Sequence, residues 1–596
     1  QTLRAVVDWS WDLLEGPERA VLRRLAVFTG GCDLGAAEAV CAGPEGVEVL
    51  DVLGALVDKS LVVSVPVESG MRFRLLETVA EYAGERLEEA GERAVVERAH
   101  LAHYRELARR TDPELRGAGQ IAAMVRLDAE YGNIRTALDR AVAARDEDEA
   151  LVLVHALLWY WQLRDLRSDA LHGVRAAAAL GPDPFAPPAA PLVPLAEPCT
   201  AAPPPLSEEQ RWEARRGVRL VELINMDHET ARWTSPEGIA RLREITAVYR
   251  PGLPQTCRLP GSFAVFAVLI TGESDRLHEL LDVTVEACRS NGYDWDLAHV
   301  LHMRANMRAN SGALAEQAIA DADESLAVFE RLGDAWGAAE ALSSRAEAHE
   351  RRLDFEAAAA DFARAIGYAE KIGAPSQQAL LRARYADILV ETGRVEEGEA
   401  ILREILDDRH PAGHEPQLGA RLFLALALGR TGRTAEAREH LTTLLEEFGS
   451  ETLSIFEGFT LGSLGWIDVL EERYDSALVR AAEAYERSLG PLSMMVAAQM
   501  PSLHLTVGAW ALAGLGGEHA RTAAVLLGAR DGLVPAGHRA PAMERENVAR
   551  ATELARAVLG GAAFAAAYDE GGGLSLEEAA ALLGRAADAI TGRAES

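Results

Sequence analysis

Glycines recur at intervals of about forty residues in the second half of the chain, and this recurrence limits the fold more than any other feature. Gly292, Gly333 and Gly373 are 41 and 40 residues apart, and each closes a long amphipathic stretch. Gly449 and Gly490 are again 41 apart. A second series of turns falls between them at the same spacing: Gly312, Leu353-Asp354, Gly393, Gly432 and Arg473-Tyr474. Two helices per unit, with one turn inside the unit and one between units, predict an α-solenoid, and the period favours that over a plain helical bundle. A small residue stands about five positions after several internal turns, as Ala358, Gly398 and Ala437. A short side chain there lets the two helices of a hairpin approach closely.

The first 95 residues follow a different plan. Leu3, Val6, Val7, Leu13 and Leu14 share one helical face. Pro17 opens a second helix, since proline suits a first helical turn. Leu34–Cys41 and Val47–Val57 read as a third and a fourth helix. Two β-like runs follow, Leu61–Val65 and Met71–Leu76, separated by Pro66 and Gly70, and they predict a hairpin. A further helix covers Glu77–Ala90. Helices followed by a two-stranded wing make a winged-helix domain. Residues 96–180 are helical throughout. Ten of the 24 residues from Pro182 to Pro205 are proline, which excludes helix and predicts an extended linker or insertion over 181–207. The tetratricopeptide repeat uses a small residue at the position of Ala358, Gly398 and Ala437. Its usual period is shorter, so residues 208–596 read as lengthened units of that kind with a C-terminal helical cap. The expected fold class is mainly α: a winged helix followed by a tetratricopeptide-like superhelix of helix hairpins.

Charge and composition narrow the function. The formal net charge is −32, and residues 1–95 carry 17 acidic against 9 basic residues. Such a surface repels phosphate backbones. The helix in the position that would read DNA, Val47–Asp58, carries Glu48, Asp51 and Asp58 before its first base, Lys59. A reading helix needs Arg, Lys, Asn or Gln facing the groove, so no direct nucleic-acid contact is expected and protein packing is the better role. The five cysteines are odd in number and scattered, which fits a reducing cytoplasm. The most apolar run, Leu151–Leu163, is too short to span a bilayer. The chain starts at Gln1 and runs straight into an amphipathic pattern, which reads as a fragment of a longer polypeptide.

Catalytic signatures are absent. The sequence has no GxxxxGK[ST], no GxGxxG after a strand, no HExxH and no GxSxG. No enzyme activity and no cofactor are therefore expected in this chain. His410 and His414 have a metal-like spacing, but they sit in a Pro-Gly loop without further ligands. His299 and His302, one helical turn apart, read as a repeat-helix face. Carboxylates with arginines three or four residues away read as solvated helix pairs. Trp159, Tyr160 and Trp161 form an aromatic cluster that either lines a ligand pocket or fills a helix interface, and the second reading is favoured.

Several segments resemble a known family. Thr2–Gly31 (TLRAVVDWSWDLLEGPERAVLRRLAVFTGG), Ala55–Val62 (ALVDKSLV) and Arg72–Leu87 (RFRLLETVAEYAGERL) are similar to the winged-helix segment of actinobacterial SARP/AfsR-like transcriptional activators. Those proteins are STAND-class signal-transduction ATPases. Leu127–Ala141 (LDAEYGNIRTALDRA) looks like the start of their helical sensor region, and Leu526–Leu533 with Phe564–Leu583 resemble their C-terminus. The resemblance implies an upstream NB-ARC-type ATPase domain as partner, and an inducer or protein partner taken up by the repeats. Residues 1–95 would then relay its arrival. Related proteins place a Met-His-Asp motif, which touches bound ADP, where this chain has Leu75-Leu76-Glu77. An aliphatic group replaces the imidazole, so these three residues are expected at an interdomain relay without direct nucleotide contact. Glu77 also reads as an acid favoured by a helix dipole. Two alternatives stay open: a repeat scaffold for protein–protein interaction, and the sensor arm of a LuxR-type or kinase-linked ATPase.

Overall fold

In the computed structural model, residues 2–43, 46–67, 70–225, 230–407, 415–448 and 454–592 are described. They form two compact units, Gln1–Asn225 and Met226–Ser596. The architecture is mainly α: a winged helix heads the first unit, and a solenoid of helix hairpins fills the second.

The winged helix comprises α1 (Thr2–Asp12), α2 (Gly16–Leu25), α3 (Leu34–Cys41), α4 (Val49–Asp58), strands β1 (Val63–Val67) and β2 (Gly70–Arg74), and α5 (Glu77–Glu89). Local chemistry sets several of these ends. Asp33 caps α3 by accepting from Ala36 N at 2.7 Å. Ser60 adopts a left-handed φ of 58° after α4, and the amides of Leu61 and Val62 turn back to Leu56 O. Those two amides are therefore spent, and pairing starts at Val63 rather than Leu61. The antiparallel register runs from Val63 opposite Arg74 to Val67 opposite Gly70. Cys32 adds a bridge to Phe73, with the two amides and carbonyls exchanging bonds of 2.9 and 2.8 Å. Leu25, Leu53, Leu56, Phe73, Val79 and Leu87 fill the core.

Five helices continue the first unit: α6 (Arg93–Thr111), α7 (Gln120–Ala143), α8 (Glu147–Leu163), α9 (Arg167–Ala178) and α10 (Glu208–Ile224). After its acidic first turn, the α8 helix is apolar and buried on every side from Ala150 to Trp161, apart from half-buried His155, as a central helix must be. The proline-rich stretch before α10 has no helix or strand, yet it is packed. Phe185 and Cys199 are buried, Arg216 donates to Ala190 O at 2.8 Å, and Arg109 donates to Thr200 O and Ala201 O. Arg211 and Arg215 on α10 pair with Asp148 and Glu147 at the start of α8. The helix after the prolines thus belongs to the first unit, and the boundary lies after Asn225, not at 208.

The second unit opens with α11 (Thr230–Thr234), α12 (Pro236–Val248), α13 (Pro254–Cys257), α14 (Ala264–Thr271) and α15 (Ser274–Asn291). Hairpins then follow in sequence: α16 (Asp294–Ala309) with α17 (Ala315–Leu332), α18 (Ala335–Arg351) with α19 (Phe355–Ile372), and α20 (Pro375–Glu391) with α21 (Val395–Asp407). Next come α22 (Glu415–Arg430) with α23 (Thr434–Phe448), and α24 (Ser454–Leu470) with α25 (Tyr474–Ser488). First helices of neighbouring hairpins also touch, as α16 with α18 and α20 with α22.

Four of the five internal turns share one backbone cause, while Gly312 opens a short 3-10 turn instead. Leu353, Gly393, Gly432 and Glu472 all hold a left-handed φ, between 61° and 87°, at the internal turn. Five positions after each stand Ala358, Gly398, Ala437 and Ala477. The three alanines are fully buried, and a Cβ added to Gly398 would lie 2.6 Å from Ala386 O. Gly292, Gly333 and Gly373 end the second helices in the same left-handed region. Gly490 departs from the series, since it is the extended N-cap of α26 (Pro491–Val496); Gly449 lies outside the described residues. The chain ends in α27 (Met500–Leu515), α28 (His519–Leu533), α29 (Ala542–Leu559), α30 (Gly561–Gly571) and α31 (Leu576–Thr591). Tyr485 ties this terminal group to the last hairpin by donating to Leu576 O at 3.0 Å.

Candidate functional site

A polar joint connects the wing to the first long helices. Arg72 on β2 donates to Glu130 on α7 at 2.6 Å and to the carbonyls of Gly30 and Gly31 at 3.1 and 3.0 Å. Glu130 also accepts from Tyr104 Oη at 3.1 Å and from Asn133 Nδ2 at 2.9 Å. Asn133 donates to Gly31 O at 2.9 Å and accepts from Thr29 N at 2.8 Å. Asn133, Tyr104 and His100 are fully buried, and Glu130 is nearly so. Burial, with Arg140 adding repulsion, lowers the His100 imidazole to about 3; it stays neutral beside Asn133 Oδ1, 3.3 Å away.

Each residue of the Glu130-Tyr131-Gly132-Asn133 run has a task here. Tyr131 donates to Asp169 on α9 at 2.6 Å and accepts from Trp161 Nε1 at 2.9 Å. At Gly132 an added Cβ would rest against Thr29. Gly31 holds φ at +90°, and a Cβ there would overlap Phe73 O and come within 2.9 Å of Arg74 Cβ. The two-glycine turn is therefore a close approach of backbone to backbone; Arg72 and Asn133 grip its carbonyls, and Glu130 holds those two side chains in place. The sequence singled out this run only as a resemblance; its role needed the partners 100 residues upstream.

The residues expected at an interdomain relay lie just beyond this joint. Leu75 is half-buried and lines a cleft of about 260 Å³ with Leu25, Phe28 and Phe73. Leu76 is the extended N-cap of α5 and 50% exposed, and Glu77 is an exposed acid in its first turn. On α1, Val7 is buried and Trp11 meets Tyr82 edge-on at 5.8 Å, while Val6 and Trp9, with Leu13 just after the helix, face outward. On α4, the exposed positions include Leu50, Asp51, Gly54 and Asp58, and Lys59 is paired with Glu18.

Trp159, Tyr160 and Trp161 are all at most 3% exposed. Tyr160 donates to Asp128 at 2.8 Å, and Trp161 is the donor to Tyr131. The cluster fills the interface of α8 with its neighbours, and no open face remains for a ligand. His410 and His414 lie outside the described residues.

The repeat helices carry a second polar system. Arg304 on α16 bridges Asp321 on α17 and Asp282 on α15 at 2.6 and 2.8 Å. Arg345 on α18 repeats the pattern with Asp361 and Asp323 at 2.6 and 2.5 Å. Asp321 and Asp361 are buried, and so is Asp468, which pairs with Arg438 and Arg480. These ions stitch helix to helix; the reading of the acids as solvated pairs along one helix holds only for part of them. His299 stacks on Trp295 at 5.1 Å, and His302 meets Trp336 edge-on at 6.3 Å. Farther along the same row of first helices stand Glu340 and Asp387. Burial raises both carboxyls to about 7; Gln377 opposes this at Glu340, and Glu350 reinforces it at Asp387.

Residues 14–88 match the family model described as a winged helix-turn-helix domain. This part of the chain is a winged helix-turn-helix domain. A "Putative HTH-type transcriptional regulator" of Mycobacterium bovis is 42% identical over 163 residues, 27% of this chain and 18% of that protein; a Mycobacterium tuberculosis protein of the same description matches equally. A second M. tuberculosis protein, without an assigned role, is 46% identical over 125 residues, 20% of this chain and 31% of its own length. The chain thus spans less than a third of each of these relatives. A crystal structure of a STAND protein with a tetratricopeptide repeat sensor, from Pyrococcus horikoshii, aligns over 98% of this chain and 64% of its own. The two are 12% identical, with a TM-score of 0.29. Among the described residues no helix is long and apolar enough to cross a membrane.

Proposed function

We propose that this chain is the sensing and relay region of a larger AfsR-like, STAND-class transcriptional activator. The repeats take up an inducer or a protein partner, and the winged helix passes the event to an upstream NB-ARC-type ATPase domain. The observation that supports this reading is the Arg72–Glu130–Asn133 joint. It fastens the wing to α7 with buried, charge-assisted bonds, so a displacement of α7 must move the wing as well. The outward apolar row Val6, Trp9 and Leu13, with exposed Leu76 and Glu77, is the surface offered to the ATPase domain.

On this reading the chain works in the cytoplasm, contacts neither DNA nor membrane, and needs no cofactor of its own. The outward face of α4 supports the absence of DNA contact: Asp51 and Asp58 would meet phosphate with like charge. A reporter assay of the full-length activator, with and without inducing conditions, is the test. Deleting 226–596, the whole second unit, should leave an activator that is always on or always off, with DNA affinity intact. A truncated activator that still responds normally would make the repeats a scaffold instead.

A further inference from the structure

The start and the end of the second unit meet: a Cβ on Gly272, after α14, would lie 2.2 Å from Pro491 Cβ at the start of α26. A Cβ on Gly537, in the loop between α28 and α29, would lie 2.5 Å from Ala313 N, in the turn after α16. Arg539 in the same loop donates to Arg352 O at the end of α18, 3.2 Å away. The first hairpins and the C-terminal group therefore touch through bare backbone.

A cavity of about 290 Å³ opens beside this contact. Its apolar wall includes Leu277 on α15, Leu314 in the turn between α16 and α17, and Met494 and Met495 from α26. Its polar wall holds Arg351 and Arg539, with His278 and His538. No aspartate or glutamate lines it, although the chain carries 92 acidic residues against 60 basic ones. His538 is oriented by Glu544 at 2.8 Å and His278 by Ser274 O at 2.8 Å. The Arg351 guanidinium makes no ion pair or hydrogen bond among the described residues, whereas neighbouring Arg352 pairs with Glu316 at 2.6 Å.

We infer that this cavity binds a small amphipathic anion, with a carboxylate or phosphate head on an apolar body of metabolite size. In a molecule of net charge −32, a recess lined by two guanidinium groups and no carboxylate favours an anion over a cation. A planar guanidinium matches carboxylate or phosphate oxygens in a fork. Thioether side chains adapt to apolar shapes without a fixed fit. Because the walls come from both ends of the repeat array, a bound anion ties α16–α18 to the α26–α29 segment and stabilises the closed arrangement. The binding stands without the sensor reading; that this anion is the inducer rests on it.

The test titrates the full chain with octanoate and with octyl phosphate, against octylamine and octanol as controls. Either anion should give a saturable rise in melting temperature; the anion with the larger rise identifies the head group. The Arg351→Ala variant should bind roughly tenfold or more weakly, the loss of one charge-assisted contact, and Arg351→Lys should lose less. Ala498→Trp, which fills the cavity without touching a charge, should abolish the rise while the circular dichroism is unchanged. No saturable rise with either anion, an equal rise with octylamine, or full binding by Ala498→Trp would overturn the site. In the full-length reporter assay, anion binding with an unaltered response in Arg351→Ala would leave the site standing and remove the inducer role.

Discussion

Arg72 on the wing and Glu130 on α7 meet at 2.6 Å, 58 positions apart in sequence, with the carboxylate 9% exposed. The pair is one edge of a network in which Glu130 also serves Tyr104 and Asn133. Removing the acid takes the carboxylate from Arg72 and Asn133, which keep only the glycine carbonyls, and takes from Tyr104 Oη the acceptor it donates to. Glu130→Ala should therefore cost about 3–5 kcal/mol, and Glu130→Gln distinctly less. Urea unfolding of the two variants checks the order, and faster amide exchange over residues 70–74 in Glu130→Ala should accompany it. Equal stability of Glu130→Ala and the parent would show that the joint does not hold the wing.

Two glycines make an internal contrast. Gly31 has a left-handed φ and a Cβ there would overlap Phe73 O, while a Cβ at helical Gly367 meets nothing within 4 Å. Gly31→Ala should destabilise by about 1–3 kcal/mol or more. Gly367→Ala should stabilise by roughly 0.5–1 kcal/mol, since glycine is a poor helix former. Thermal melts of both variants decide the matter, and loss of stability in each would refute the contrast.

Leu342 lies in the middle of α18 and is fully buried. Leu342→Ala should cost roughly 2–5 kcal/mol. Because each hairpin rests mainly on its neighbours, the loss should spread to α16–α17 and α20–α21. Hydrogen exchange resolved by peptide measures that spread; protection lost only within α18 would argue against coupled units.

The carboxyls of Glu340 and Asp387 titrate near 7, above their ordinary range. For an acid whose folded value is raised, stability is fully present below the unfolded value and is lost as pH rises through the folded one. These two groups should thus make the second unit less stable at pH 8 than at pH 6. The double variant Glu340→Gln with Asp387→Asn should flatten that slope. A parent protein with a larger slope of the opposite sign, unchanged in the variant, would assign the pH dependence elsewhere.

The proline-rich stretch should resist elastase at its alanines while Arg216 holds Ala190 O. Arg216→Ala should raise the cleavage rate between 181 and 207 several-fold, as loss of an anchor exposes the backbone. Cleavage there at equal rate in parent and variant would mean that the anchor does not govern access.

Local rules were enough for much of this protein. The wing followed from two β-like runs around Pro66 and Gly70, and helix ends from Pro17 and the spaced glycines, because turns and caps are set by a few neighbouring residues. The forty-residue period gave the hairpins, and a small residue five positions past each turn marked where two helices touch. Leu353 and Glu472, which take the left-handed turn in place of glycine, fit the series by position alone. Long-range partners lay outside that reach. Nothing near Glu130 or Asn133 announces a glycine turn 100 residues earlier, and nothing near Arg304 announces Asp282 and Asp321 as its partners. The proline run excluded helix by its own chemistry, but whether it would lie on the first unit depended on Arg109 and Arg216 finding its carbonyls. The cavity beside Gly312 and Gly537 needed the two ends of the array to meet, a matter of accumulated superhelical rotation. Periodicity fixes what each hairpin is; the small angle between successive hairpins, set by side-chain packing along the whole array, fixes which distant residues face each other.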